Sequence, residues 1–290
     1  MIHLKFYYSK KTFFLLLIFI TSFLFSCNKQ SSDNVETKFL GHRGSGCSLL
    51  QQGYMENTIP SIENAFKYFD GVEVDIQMSK SGTIWIYHDG IINACDTNSK
   101  FCIPNSIDST LENITICHYA YKDRLYKLEE LFELLESNQS KFVSLDVKGY
   151  YPNFCIPANN VSESYQKQFA KELIKLINNY GLENKILIET DYQYFLDCIK
   201  IQKPELNCYL LSYQNFNKAL NVALQKTYDG ISSNFQDTSL NKECILNAHK
   251  NKLKVQIWTP NNEEDLRRIL LLKPDFIQTD NSDAKSFLNQ

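Results

Sequence analysis

Eight short runs rich in β-branched and aromatic residues, 38–41, 71–77, 141–147, 185–190, 207–211, 230–233, 254–259 and 275–279, recur along one chain with helical patterns between them. The intervening apolar residues fall at i, i+3, i+4 and i+7, as in Ile62, Ala65, Phe66 and Phe69, in Leu128, Leu131, Phe132 and Leu135, and in Phe216, Ala219, Leu220 and Ala223. Leu266, Ile269 and Leu270 repeat the pattern, and further helices are expected from near Tyr165, Tyr192 and Ser239. Strands that alternate with helices pair in parallel through crossovers, and eight of them closing on themselves make an α/β fold of the (β/α)8 barrel type. The span from residue 38 onward has roughly the 250 residues typical of such a barrel. An open, doubly wound sheet is the alternative. Residues 90–124, rich in Asn, Ser, Thr, Asp and Cys and without a clear period, break the rhythm, so an insertion over about 77–124 is expected above the barrel mouth.

The N-terminus reads differently. Lys5, Lys10 and Lys11 precede an apolar run, 12–25, that matches the roughly 7–15 residues of a signal-peptide core and falls short of the roughly 20 needed to span a bilayer. Residues 1–26 are therefore expected to be an export signal. Its end, Leu24, Phe25, Ser26 and Cys27, resembles a bacterial lipobox, in which the Cys sulfur carries diacylglycerol and becomes the mature N-terminus; Phe25 departs from that motif. The expectation is a lipid anchor on Cys27, a polar tether over 27–37 and the barrel domain over 38–290 held at a membrane surface in the cell envelope. An ordinary signal peptide with secretion is the alternative. The formal charge is -3, and the three early lysines make the rest more acidic still. That argues against nucleic acid as a partner, because such binding rests on Lys and Arg neutralising phosphates. Of the nine cysteines, Cys95 and Cys102 share one loop-like segment and are the first pairing expected, with free thiols the alternative.

The chemistry concentrates in the first half of the domain. Along 72–76 polarity alternates, so Glu73 and Asp75 project to one face and Val72, Val74 and Ile76 to the other. Two carboxylates on one face of an apolar strand are unfavourable unless paired or bound to a cation. If Ser79 pairs with Gly82 in a four-residue turn, the returning strand sets His88 opposite Glu73; a surface hairpin with solvated charges is the other reading. The first strand leads into Gly41, His42, Arg43, Gly44, Ser45 and Gly46, where a His beside an Arg suits a proton-transfer group next to a phosphate clamp. Glu56, Asn57 and Thr58 open a helix with Pro60 in its first turn and read equally as a helix cap. Asp146 and Lys148 put an acid and a base together on a later strand, as an ion pair also would.

In order and spacing, His42-Arg43-Gly44, Glu56-Asn57-Thr58, Glu73-x-Asp75, Gly82, His88-Asp89 and Asp146-x-Lys148 resemble the glycerophosphodiester phosphodiesterase family over most of residues 40–281. The resemblance implies a TIM barrel with a small insertion after the second strand. It also implies a divalent cation, Ca²⁺ or Mg²⁺, on Glu73, Asp75 and Asp146, with His42 and His88 as the acid/base pair. Arg43, Lys148, Glu56, Asn57 and Trp258 are the implied substrate contacts, Trp258 as an apolar wall where a strand Trp could equally be core. The expected substrate is a small glycerophosphodiester such as glycerophosphocholine, hydrolysed to glycerol 3-phosphate and an alcohol. The rivals are a phospholipase D-like or phosphoinositide phospholipase C-like enzyme acting on lyso- or phospholipids, and a non-catalytic binding lipoprotein. This chain has Asp146 where the family usually has Glu, Glu189-Thr190 where Ser-Phe is usual, and Pro260 where Val is usual. His118 and His249 belong to no partnered motif and are expected at the surface.

Overall fold

The computed structural model describes residues 36–289 apart from 48–52, 96, 98, 119–120 and 157–160. The expected export signal, Cys27 and nearly all of the tether lie outside the described residues. In chain order the strands are β1 (Lys38–Gly41), β2 (Gly71–Met78), β3 (Ile84–Ile86), β4 (Thr115–His118), β5 (Tyr121–Arg124), β6 (Tyr126–Lys127), β7 (Phe142–Val147), β8 (Ile186–Thr190), β9 (Asn207–Ser212), β10 (Gly230–Asn234), β11 (Lys254–Trp258) and β12 (Phe276–Thr279). The helices are α1 (Ile59–Ala65), α2 (Asp108–Leu111), α3 (Leu128–Glu136), α4 (Glu163–Tyr180), α5 (Gln193–Gln202), α6 (Phe216–Lys226), α7 (Lys242–Lys250) and α8 (Glu263–Leu270). Parallel pairing runs β1-β12-β11-β10-β9-β8-β7-β2, and β2 returns to β1 through Leu40 with Gly71 and Gly41 with Val72. This closes the barrel of eight parallel strands that the alternation implies, and the open sheet is excluded. No described helix is long and apolar enough to cross a membrane.

Each barrel strand has two buried faces with different jobs. On β2, Val72, Val74, Ile76 and Met78 join the apolar shell formed with the helices, while Glu73, Asp75 and Gln77 are buried on the other face. Apolar side chains fill the lumen near the strand starts, where Leu187, Tyr209 and Phe276 cluster with Leu40 against Phe142. Further along the strands the lumen turns polar: Gln256 donates to Ser144 and Ser232, and Ser144 and Gln278 donate to Glu189. Charged groups follow at the C-terminal ends, the face on which barrels of this kind build their sites.

After β2 the chain leaves the barrel. Ser79 N–H donates to the Thr83 carbonyl and Gly82 N–H to the Ser79 carbonyl, with Gly82 at φ 91°. The connection therefore has three residues, with glycine in the left-handed position it requires. The observed pairs are Ile76 with Ile86 and Gln77 with Trp85, so the register expected from a four-residue turn is wrong by one residue. His88 is not opposite Glu73. The excursion carries its own core of Trp85, Ile92, Ile103, Leu111, Ile114, Ile116 and Leu125. Asp108 ties it to the turn, accepting from Ser79 Oγ at 2.7 Å and Trp85 Nε1 at 3.1 Å.

Two disulfides staple this region, Cys95–Cys117 and Cys102–Cys155. The Cys95–Cys102 pairing is thus overturned. Cys95 N–H donates to Thr115 O and Ala94 bridges Ile116, which lays Cys95 beside β4 and Cys117. Cys102 instead packs with Tyr151, Cys155 and Val161. His249 also departs from expectation: its Nε2 is 2.9 Å from Asp275 Oδ2, and that oxygen also accepts from Val255 N–H.

Candidate active site

The turn after β1 is shaped by its glycines. Gly44 has φ 90°, and a Cβ there would stand 2.6 Å from Ser61 Oγ, so the backbone lies directly on the start of α1. Gly44 N–H donates to the Glu73 carbonyl, and Arg43 N–H donates to Glu73 Oε2 at 2.9 Å. The loop is thereby fastened to β2, and His42 and Arg43 face the barrel mouth. A cavity of about 200 Å³ there is lined by His42, Arg43, Glu73, Asp75, His88, Asp146, Lys148, Glu189, Leu211, Tyr213, Trp258, Thr259 and Gln278. Eight of the ten expected described site residues thus line one cavity, and the register error in the hairpin does not remove His88 from it.

Glu56 and Asn57 sit behind that wall. Glu56 Oε1 accepts from Arg43 Nη1 at 2.9 Å. Asn57, at φ 57°, donates through Nδ2 to Asp75 Oδ2 at 2.7 Å and accepts the Asp75 N–H at 3.0 Å. The cap of α1 is Thr58, which accepts from Ser61 N–H. Asn57 therefore braces a carboxylate, and with Glu56 and His88 it lines an adjoining cavity of about 90 Å³.

Glu73, Asp75 and Asp146 offer one oxygen each within 4.8 Å of the others. Strand register explains the closeness, because Asp75 and Asp146 are direct partners across β2 and β7. Lys148 Nζ stands among these charges, 2.8 Å from Asp75 Oδ1 and 2.5 Å from Asp146 Oδ2, and Arg43 Nε is 3.4 Å from Asp75 Oδ2. Burial alone would raise the Asp75 carboxyl, but Lys148, Arg43 and His88 outweigh it and hold it below the usual carboxylate range. Burial pushes Glu73 well up, and Asp75, Glu189 and Asp146 add to that. Asp146 is also raised by burial, against the pull of Lys148. A trio of hard oxygen donors, two buried and one half-buried, under like-charge stress is the donor chemistry of a Ca²⁺ or Mg²⁺ site, and these residues fit one.

Both histidines carry a carboxylate on Nδ1. His42 Nδ1 is 2.9 Å from Asp280 Oδ1, and its Nε2 is 3.9 Å from Glu73 Oε2. His88 Nδ1 is 2.7 Å from Asp89 Oδ1. A carboxylate on one ring nitrogen sets the tautomer and leaves the other nitrogen for proton transfer. Asp280 was not among the expected site residues, although Thr279-Asp280 closes the stretch of the sequence that resembles the family. Glu189 lies deeper, buried by the lumen, with Oε2 lacking a hydrogen-bond partner. Burial and then Asp146 push it up to about 7 against hydrogen bonds from Ser232, Ser144 and Gln278. Trp258 lines the cavity edge-on to Tyr213, ring centroids 5.6 Å apart.

Known proteins share both sequence and fold with this chain. The chain is 25% identical over 266 residues to a glycerophosphodiester phosphodiesterase of Caldanaerobacter subterraneus, covering 88% of this chain and 98% of that one. It is 23% identical over 249 residues to one of Bacillus altitudinis, covering 84% and 94%. Among solved structures, an Oleispira antarctica phosphodiesterase in complex with the product sn-glycerol-3-phosphate superposes with a TM-score of 0.71 at 16% identity over 87% of this chain and 97% of that one. A Parabacteroides distasonis glycerophosphodiester phosphodiesterase gives 0.72 at 15% identity over 87% and 97%. These structural likenesses carry the barrel fold. Residues 42–284 match the model of the Glycerophosphoryl diester phosphodiesterase family, and the chain belongs to that family as a phosphoric diester hydrolase acting on glycerophosphodiesters.

Proposed function

We propose that the cavity at the barrel mouth hydrolyses small glycerophosphodiesters such as glycerophosphocholine to glycerol 3-phosphate and an alcohol, with Ca²⁺ or Mg²⁺ held by Glu73, Asp75 and Asp146. The observation that carries this is the convergence of three carboxylates, two His–Asp pairs and two cations on one cavity. The bound cation supplies charge neutralisation at the phosphate oxygens. Arg43 and Lys148 add to it, binding and orienting the diester. Lys148 bridges Asp75 and Asp146, and were those carboxylates to hold a metal, its ammonium would be available to the phosphate. One histidine takes the proton of the attacking hydroxyl at Nε2 while the other gives its proton to the leaving alkoxide as the P–O bond breaks, each contributing about 10² to 10⁴-fold. Asp280 and Asp89 hold the two rings for this. Asp146 is one methylene shorter than the family's usual Glu, so its carboxylate would offer a metal a donor that reaches less far from β7. Trp258 and Tyr213 form the wall for the glycerol carbons.

The test is glycerol 3-phosphate release from glycerophosphocholine with Ca²⁺ or Mg²⁺, then with a chelator, using His42→Ala as the blank. Metal-dependent release that the variant lacks supports the reading. Choline release from lysophosphatidylcholine with no cleavage of glycerophosphocholine overturns the soluble-diester substrate. The lysine-led apolar run and Ser26-Cys27 support export with a lipid on Cys27 and anchoring at a membrane surface of the cell envelope. The mass of the mature N-terminal peptide, with Cys27→Ala as control, tests that part.

A further inference from the structure

A second donor set lies beside the carboxylate trio. Cys47 Sγ is 3.4 Å from His42 Nδ1, Asp280 Oδ1 is 2.9 Å from the same nitrogen, and one ligand atom of each residue lies within 4.8 Å of the others. The backbone is built for this approach: Gly46 has φ 103°, and a Cβ there would stand 2.8 Å from Asp280 Cβ. That close pass delivers Cys47 to the pair. Cys47 is a free, partly exposed thiol, whereas the other free cysteines among the described residues, Cys198, Cys208 and Cys244, are buried.

One sulfur, one imidazole nitrogen and one carboxylate oxygen are a poor set for Ca²⁺ or Mg²⁺ and a good one for Zn²⁺. Tetrahedral zinc with bonds of about 2.0 Å to N and O and about 2.3 Å to S separates its ligands by roughly 3.3 to 3.5 Å. The observed 2.9 and 3.4 Å come within a few tenths of an ångström of those edges. A thiolate and a carboxylate neutralise the ion, so Arg43 nearby meets no net positive charge.

We propose that His42, Cys47 and Asp280 form an inhibitory Zn²⁺ site with its fourth position open to water. On binding, the Cys47 thiol proton leaves to solvent as the Zn–S bond forms, and His42 Nδ1 and an Asp280 oxygen complete the set. The metal takes the place of the Nδ1 proton that faces Asp280, so that proton leaves to solvent and the neutral ring takes up its proton on Nε2 instead, and the nitrogen facing the cavity can no longer accept one. The Asp280 carboxylate is withdrawn from the ring at the same time. Inhibition rests on the proposed role of His42; binding does not.

The test uses the purified protein and Cd²⁺ as a probe for the thiolate. Wild type is expected to develop the ultraviolet thiolate-to-cadmium absorption, saturating at one equivalent and reversed by Zn²⁺, while Cys47→Ala and Cys47→Ser lack it. In the rate assay at saturating Mg²⁺ or Ca²⁺, Zn²⁺ is expected to inhibit wild type at concentrations about tenfold or more below those that affect Cys47→Ala. No band in wild type, or an equal band in Cys47→Ala, overturns the site. Equal Zn²⁺ inhibition of both proteins overturns the inhibitory claim and places zinc on the carboxylate trio. A clear band in a protein without diesterase turnover upholds the metal site and sinks the functional reading instead.

Discussion

Replacing Asp280 by Asn tests the His42 pair with little change of shape. The carboxylate accepts from two sides: Oδ1 faces His42 Nδ1 at 2.9 Å, and Oδ2 accepts from Asn261 Nδ2 at 2.8 Å. An amide cannot accept on both. With its oxygen toward Asn261, the NH₂ group faces Nδ1 and forces the ring proton onto Nε2; with its oxygen toward His42, two NH₂ groups collide. Charge is lost as well. At an effective dielectric of about 20 and roughly 4 Å between charge centres, the imidazolium formed during turnover loses about 4 kcal/mol, which is roughly 10³-fold in rate. The expected result is a kcat for glycerol 3-phosphate release lower by about 10² to 10³-fold. KM should stay within about threefold, because Asp280 positions a catalytic ring rather than the diester. The melting temperature should change by only a few degrees, since the pair is partly solvated. A fall below about fivefold, or a loss carried by KM, would refute the claim that Asp280 sets the His42 tautomer.

Other perturbations test neighbouring parts of the argument. His88→Ala should lower kcat by about 10² to 10⁴-fold with the circular dichroism spectrum unchanged, and retained turnover removes His88 from proton transfer. Glu73→Ala should raise the metal concentration for half-maximal rate by at least about tenfold, and an unchanged value refutes its ligand role. Cys102–Cys155 spans 53 residues, so replacing both by Ala should lower unfolding free energy by about 4 kcal/mol in urea titration, with a null effect sinking the pairing. Glu189, raised to about 7 in the fold, binds its proton more tightly folded than unfolded, so its contribution is fully present below the unfolded carboxyl range and is lost as pH rises through about 7. In chelator, Glu189→Gln should therefore raise the melting temperature relative to wild type at pH 8 more than at pH 4, and an equal offset at both refutes the buried charge.

The barrel was legible because each strand's apolar face is β-branched or aromatic and each helix repeats its stripe. Every strand expected from the sequence lies within about one residue of its observed bounds, the uncertainty usual for strand ends. What failed was set by distance or by backbone dihedrals. Gly82 was read as the end of a four-residue turn, yet its left-handed φ makes it the last residue of a three-residue connection, and one residue of loop shifts every pair of the hairpin. Cys95 and Cys102 are close in sequence, but strand contacts in the excursion carry one to Cys117 and packing carries the other to Cys155. Asp280 is 238 residues from His42 and Asp275 is 26 from His249, separations at which no local pattern reports a contact. Glu189 was visible only as a departure from the family's usual residue.

The register of closure explains why these distant groups meet. Gly41 pairs with Thr279 where β1 meets β12, so the next residue on each strand, His42 and Asp280, emerge side by side at the rim. Asp75, Asp146 and Glu189 form one row across β2, β7 and β8 by the same rule. Since side chains alternate with period two, a slip of one residue at either seam would send half of each set into the helical shell. The apolar layer at the strand starts opposes that slip. Leu187, Tyr209 and Phe276 occupy the lumen in the register that stacks polar groups above them and charges at the mouth. The buried like charges at the mouth oppose folding, whereas the shell and the apolar lumen favour it, and both depend on one register. The His42–Asp280 pair therefore exists only when the barrel is closed, and a substitution that loosens the β1–β12 seam is expected to lose kcat before it loses the fold.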